Sequence, residues 1–374
     1  MNNGFGFNFY MPVNIISGNG CLENNKSVFE KLGKTCLIVC GRSSAKRAGA
    51  LDDTQKILNE LNIKYTVFDK ITENPLTSTC FEGGKTARKI GADFVIGIGG
   101  GSPLDASKAV CVYAANEHIT DDGIYTEKII REPLPLIVIG TTAGTGSEVS
   151  GVSVLTRRDG RKQSVSGQYY YAKYAFADPK YTYTVPRATT VSTALDALAH
   201  AAESMFSPRS DFLSSRFSLL AAESIFPILK KFDDDTYMPS NDERDTLYYS
   251  SLYAGFALNK GGTGFPHGMG YALTEDYAVP HGTACAVFLP TFMEEAEKAD
   301  SERCKEFFDA CRTDKEHFCT LIRKLSKLDI FISEEKISEY EHRWKTLKNF
   351  KNSPTSFNNH DAAGLMKILF SINR

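Results

Sequence analysis

The stretch Phe94-Val-Ile-Gly-Ile-Gly-Gly-Gly-Ser-Pro-Leu-Asp-Ala-Ser-Lys108 changes character at its middle. Phe94–Ile98 is a short, continuous apolar run of the kind a sheet buries on both faces, and from Pro103 to Ala115 the pattern is helical. Gly99-Gly-Gly-Ser102 joins the two. Ser102 suits a helix N-cap and Pro103 the first helical position, which predicts that the helix begins at the loop. Three adjacent glycines leave the backbone open to a phosphate, and the helix's free N–H groups and positive dipole end would face that anion. The same residues also serve as a plain strand-to-helix turn, with Asp105 and Lys108 as solvated or ion-paired surface residues.

Working outward, the alternation repeats. Strand-like runs at Thr35–Val39, Tyr65–Phe68 and Leu136–Ile139 alternate with helical patterns at about Ala50–Leu61 and Ser78–Ile90. Such alternation argues for a parallel sheet with helices on its faces, and ligands bind such sheets off the carboxyl ends of the strands. Two more polar loops fall at those ends. Thr141-Thr-Ala-Gly-Thr-Gly-Ser-Glu148 offers hydroxyls and backbone N–H groups that fit either a diphosphate and nicotinamide carboxamide or an ordinary Ser/Thr turn. Two such loops at one end of one sheet favour a dinucleotide over a single phosphate. The loop after the first strand, Gly41-Arg42-Ser43-Ser44-Ala45-Lys46, lacks the acid that would bind both ribose hydroxyls and repel a 2′-phosphate. Arg42, Lys46 and the serines suit that phosphate, so NADP(H) is expected over NAD(H), against the alternative of a plain basic loop.

From Thr189 onward the strand pattern stops. Helical stretches are predicted at Thr189–Ser207, Phe212–Phe232, Asp242–Leu258, Val287–Ala299, Ser301–Leu328 with breaks, and near His360–Ile372. Asp178-Pro179 and Val185-Pro186 punctuate the chain, which places a domain boundary after Pro186: residues 1–186 as an α/β domain and 187–374 as an all-helical one. Composition agrees with an ordinary globular chain. Of 374 residues, 42% are hydrophobic and 24% charged, and the net charge of −2 gives no reason to expect nucleic acid or an anionic membrane as a partner. The N-terminus shows no signal-peptide pattern, no apolar run reaches the roughly 18 residues of a membrane span, and nine scattered Cys without a CxxC suit a reducing compartment. A cytoplasmic protein is the expectation.

Within the helical half, Asp196-Ala-Leu-Ala-His200 puts a carboxylate and an imidazole on one helical face. His267 and His281 each follow Pro and precede Gly, which predicts interrupted segments around both. One carboxylate and three imidazoles suit Fe(II) or Zn(II) at about 2.0–2.2 Å, whereas Ca(II) and Mg(II) want more oxygen. His118, His317, His342 and His360 lack such settings and read as satisfied core residues.

Taken in order, Phe9-Tyr-Met-Pro12, Gly18-Asn-Gly20, Gly99–Lys108, Thr141–Glu148 and the two His segments make the chain resemble the iron-containing (group III) alcohol dehydrogenases nearly end to end, and most closely their NADPH-dependent butanol dehydrogenase-like branch. The resemblance implies a Rossmann-like α/β N-terminal domain with a parallel sheet and an all-α C-terminal domain, the dehydroquinate synthase-like architecture. It implies that Asp196, His200, His267 and His281 hold iron, with zinc as an alternative. Gly99, Gly100, Gly101 and Ser102 would hold the diphosphate, and Asp105, Thr141, Thr142, Thr145, Lys162 and Asn74 the rest of the cofactor, while the basic and hydroxyl residues after the first strand put Gly41, Arg42 and Ser43 at its ribose end. A dimer or larger homo-oligomer is implied as well. Many members carry a second His four residues beyond the third ligand; here that position is Tyr271, which with His267 completes the candidate catalytic pair. The implied reaction is hydride transfer between NAD(P)H and a primary alcohol/aldehyde pair, with a small-molecule substrate as the only partner besides a second copy. Glycerol dehydrogenase-like, dehydroquinate synthase-like and maleylacetate reductase-like chemistry, and a non-catalytic metal or nucleotide sensor, are the rivals.

Overall fold

The computed structural model of the protein describes residues 5–371. The first four residues and the predicted helix end at Ile372 lie outside them. The chain packs as two compact units: one comprises Tyr10–Pro186 and Ser240–Leu252, the other the N-terminal segment to Phe9, Arg187–Pro239 and Tyr253 onward.

The first unit is built on six strands: β1 (Asn14–Ser17), β2 (Thr35–Gly41), β3 (Lys64–Ile71), β4 (Phe94–Gly99), β5 (Leu136–Gly140) and, after a hairpin of β6 (Val152–Thr156) and β7 (Lys162–Ser166), β8 (Tyr174–Ala177). The six run parallel in the order β1-β8-β5-β4-β2-β3, and β6–β7 pair antiparallel. Both faces are buried, as the continuous apolar runs require. Leu37, Val39, Val95 and Val138 join one core with helices α2 (Thr77–Lys89) and α3 (Gly101–Ala115). Cys36, Ile38, Ile96 and Ile137 join the other with helix α1 (Ala50–Glu60). Gly83 and Gly84 let α2 lie directly on α3, since added Cβ atoms would stand 2.7 Å from Val110 and 2.5 Å from Tyr113. After β3 the chain returns to the far side of β2, so β2 and β4 flank the point where strand order reverses. Ligand crevices of open α/β sheets form at that point, off the carboxyl ends. Gly41–Ser43 and Gly99–Ser102 are the residues found there.

The second unit is helical among its described residues: α4 (Arg187–Met205), α5 (Phe212–Lys231), α6 (Asn241–Gly261), α7 (Phe265–Tyr277), α8 (His281–Ala286), α9 (Leu289–Ala299), α10 (Ser301–Ala310), α11 (Lys315–Leu325), α12 (Glu334–Trp344) and α13 (Asn359–Phe370). Asp211 starts α5 with a reciprocal capping box to Ser214. By length and composition α5 could cross a membrane, at a mean hydropathy of 1.3, but 56% of it is buried within the protein, as in a core helix. The first half of α6 packs with the α/β unit. There the guanidinium of Arg244 donates to the carbonyls of Thr182 and Val185, both at 3.0 Å, and Tyr248 donates to buried Glu148.

Four local expectations change. Helix α3 begins at Gly101 with Gly100 as N-cap, so Ser102 is not the cap, and its hydroxyl instead accepts from the Asn74 N–H at 3.2 Å. Asp105 and Lys108 are not on the surface. Lys108 is 1% exposed, and its ammonium donates to Ser147 Oγ and to the carbonyls of Ser150 and Val152 at 2.7–2.9 Å. The segments around His267 and His281 are helical, because Pro266 and Pro280 fall where a helix start tolerates proline. His118, His317, His342 and His360 are exposed rather than core.

Candidate metal centre and dinucleotide loops

Asp196, His200 and Glu203 sit at i, i+4 and i+7 of α4, on one buried face. His267 enters from the first turn of α7 and His281 as the first residue of α8. Gly282 is what lets α8 approach: a Cβ there would lie 1.8 Å from the Ser192 carbonyl and 2.8 Å from Asp196 Cβ. The Thr283 N–H then reaches Ser192 Oγ at 3.2 Å. The result is a cluster in which donor atoms of Asp196, His267, His281 and Cys285 all lie within 4.8 Å of one another. His200 lies beside that cluster, its ring stacked on His267 with centroids 4.4 Å apart. Three of the four ligands expected from the sequence thus converge; the fourth is adjacent, and Cys285 stands among them.

The donor set fits a divalent cation. Asp196 Oδ1 and His267 Nε2 face each other at 3.4 Å, both buried and both without a hydrogen-bond partner among the described residues. Most buried polar groups in folded proteins find a hydrogen-bond partner, so two that face each other without one call for a ligand between them. Glu203, fully buried, brings Oε1 to 2.5 Å from His267 Nδ1 and accepts the Gly264 N–H on Oε2 at 2.7 Å. A carboxylate on Nδ1 favours the proton there, which would leave Nε2, the ring atom facing Asp196, to bind a cation. Burial would push the Asp196 carboxyl up, but His200, His267 and His281 outweigh it and hold it well below the usual carboxylate range. Burial likewise pushes the Cys285 thiol up, against the opposing charge of His267. Tyr271 lies one turn along α7, its ring parallel to His281 with centroids 5.7 Å apart. The sequence reading missed Glu203 and Cys285. The signal for each was helical spacing: Glu203 is seven residues beyond Asp196, and Cys285 four beyond His281.

In the α/β unit, Gly99 adopts φ +151°, and the Thr141 N–H donates to its carbonyl at 2.9 Å. The neighbouring glycines serve the second loop as much as any phosphate. A Cβ on Gly100 would lie 2.9 Å from Thr142 Oγ1, and one on Gly101 would lie 2.6 Å from Thr145 Cγ2. The Gly and Thr loops therefore interlock, with the amides of Gly101 and Ser102 at the helix start. Asn74, at φ +57°, ties Ser102 to Lys162: its N–H donates to Ser102 Oγ, and its Oδ1 accepts from Lys162 Nζ at 2.9 Å. Asp105 is engaged on both oxygens, by Ser147 Oγ at 2.6 Å and the Val154 N–H at 2.8 Å, which anchors the second loop and β6 to α3. Gly41 ends β2, and Arg42 and Ser43 follow it, both exposed.

Comparison with known proteins places these features in a family. Residues 12–179 match the model for iron-containing alcohol dehydrogenases, and 190–342 match the C-terminal model of the same family. An NADPH-dependent butanol dehydrogenase of Clostridium saccharobutylicum is 29% identical over 86% of this chain and 83% of its own length. A probable NADH-dependent butanol dehydrogenase of Bacillus subtilis is 29% identical over 86% of this chain and 85% of its own. The crystal structure of an iron-containing alcohol dehydrogenase from Thermotoga maritima superposes with a TM-score of 0.90 at 31% identity, covering 98% of this chain and all of that one. Both halves of the chain, the α/β unit with its interlocked loops and the helices that gather Asp196, His267 and His281, belong to the iron-containing alcohol dehydrogenase family.

Proposed function

We propose that the protein is a metal-dependent alcohol dehydrogenase and aldehyde reductase that uses NADP(H) in preference to NAD(H), works on a primary alcohol/aldehyde pair, and acts in the cytoplasm as a homodimer or larger homo-oligomer. The observation that carries the reading is the convergence of Asp196, His267 and His281, with Asp196 Oδ1 and His267 Nε2 left buried without a hydrogen-bond partner. We assign dinucleotide binding to residues 1–186 and metal and substrate binding to residues 187–374.

Asp196, His200, His267 and His281 would hold iron, or zinc in its place. When bound, such a cation supplies Lewis acidity towards a carbonyl oxygen, and the reduced nicotinamide supplies the hydride. The chain's own contribution is arrangement. Glu203 keeps the proton on His267 Nδ1, so that Nε2 remains a donor atom. Gly99–Ser102 and Thr141–Thr145 would cradle the diphosphate, and Asn74 and Lys162 would line the rest. Arg42 and Ser43, exposed at the end of β2, would meet a 2′-phosphate, which supports NADP(H). Tyr271, whose ring lies parallel to that of His281, would pass the proton that aldehyde reduction consumes. The overall balance is aldehyde, NADPH and a proton giving alcohol and NADP+.

The test is His267→Ala, with metal content and NADPH-dependent butanal reduction measured side by side. Loss of both is expected. Full activity in a metal-free variant would refute the reading, and a wild-type protein that binds metal and NADPH yet turns over no aldehyde or alcohol would make it a sensor.

A further inference from the structure

Cys285 follows His281 by four residues on α8, as His200 follows Asp196 on α4. Its Sγ lies 3.7 Å from His281 Nδ1 and 3.9 Å from Nε2, and within 4.8 Å of the donor atoms of Asp196 and His267. The side chain is fully buried. A second observation, independent of the thiol, marks the same spot as a ligand position: Asp196 Oδ1 and His267 Nε2, both buried, meet there without a hydrogen-bond partner. The backbone is shaped around the sulfur too, since a Cβ on Gly270 would stand 3.0 Å from Sγ.

We propose that Cys285 is itself a metal ligand of this centre, so that the resting protein holds its cation in a mixed shell of one carboxylate, imidazoles and one thiolate. The proposal rests on the reading of the cluster as a metal centre. With Asp196, His200, His267 and His281 as the other ligands, Cys285 adds a fifth donor, beyond the four at which tetrahedral sites close, whereas catalytic sites keep a position open. The thiol therefore guards the position that the reaction needs and must leave it for turnover. On binding, the sulfur–hydrogen bond breaks, the proton goes to solvent, and the sulfur lone pair forms the bond to the cation, with no change of oxidation state. A sulfur donor also shifts preference towards softer divalent ions such as zinc and cobalt, and away from magnesium and calcium.

Cobalt(II) is the probe, because thiolate ligation gives it a sulfur-to-metal charge-transfer absorption that nitrogen and oxygen donors do not. Full-length protein is stripped with a chelator, reloaded with one equivalent of cobalt(II), and its absorption recorded. The wild type is expected to show the band, and both Cys285→Ser and Cys285→Ala to lose it while still taking up cobalt. One equivalent bound by the wild type without the band, or a band that survives in either variant, overturns the proposal and leaves the metal-centre reading standing. A wild type that takes up no cobalt, iron or zinc overturns both.

Discussion

Glu203 Oε1 and His267 Nδ1 stand 2.5 Å apart with both side chains buried, and the other oxygen of Glu203 holds the Gly264 N–H at the start of the same helix that carries His267. One carboxylate thus sets both the orientation of the ring and the end of α7. Carboxylates that hold a metal-ligating imidazole typically contribute about 10–100-fold to metal affinity. Glu203→Gln is expected to lower iron or zinc affinity by about that factor, measured by chelator competition, with little change in the melting temperature of the metal-free protein. An unchanged affinity would show that the pair only anchors the helix.

The interlocked loops make a second prediction. Gly101→Ala pushes a methyl against Thr145 Cγ2, at 2.6 Å from its ideal position, and overpacking of this kind costs about 1–3 kcal/mol. NADPH binding, followed by quenching of its fluorescence, is expected to weaken about tenfold. Thr145→Ser removes the clashing methyl and keeps the hydroxyl, so the double variant should recover part of the loss. Simple additivity of the two changes would show that the loops do not touch in solution.

Cofactor choice is expected to hang on Arg42. A charge-assisted hydrogen bond contributes about 1.5–3 kcal/mol, which corresponds to roughly a tenfold or larger change in KM. Arg42→Ala should raise the KM for NADPH by that factor and leave the KM for NADH where it was. Equal effects on the two would remove Arg42 from the 2′-phosphate site.

Asp211 gives a pH prediction away from the metal. Burial raises its carboxyl, but N–H groups of Ser214 and Asn8, the Ser214 hydroxyl and Lys260 outweigh this and depress it. A carboxyl lowered on folding adds stability that is present above its unfolded value, about 3.9, and is lost as pH falls through the folded value. Asp211→Ala should cost about 1 kcal/mol at neutral pH through the lost cap. Asp211→Asn should keep most of that cap and flatten the acid limb of the denaturation curve. An acid limb identical to that of the wild type in the Asn variant would assign the acid sensitivity to other carboxyls.

The sheet was legible because doubly buried strands write themselves as continuous apolar runs, and the glycine loops because they fall at strand ends. Asp196, His267 and His281 were legible as residue types in unusual settings. The hairpin of β6 and β7 was overlooked although Asp159-Gly160, with Gly160 at φ +81°, carries a turn signal. Helices α7 and α8 were hidden by the Gly and Pro near their histidines. Those residues read as breakers in sequence, but in three dimensions they start the helices and give close approach, as Gly282 does against Ser192. Glu203 and Cys285 were missed for a different reason. An acid or a thiol on a helix is commonplace, and only its distance to a residue far along the chain gives it a role.

Helix α6 is divided between the two units. Its residues up to Leu252 complete the α/β unit, where Arg244 closes the carbonyls of Thr182 and Val185 and Tyr248 satisfies Glu148, while the rest of the same helix belongs to the other unit. The chain is therefore not modular at Pro186, although that is where its sequence pattern changes. A fragment cut there would lose the Arg244 guanidinium from the Thr182 and Val185 carbonyls and the Tyr248 hydroxyl from buried Glu148, so swapping cofactor halves between relatives requires transplanting Ser240–Leu252 along with residues 10–186.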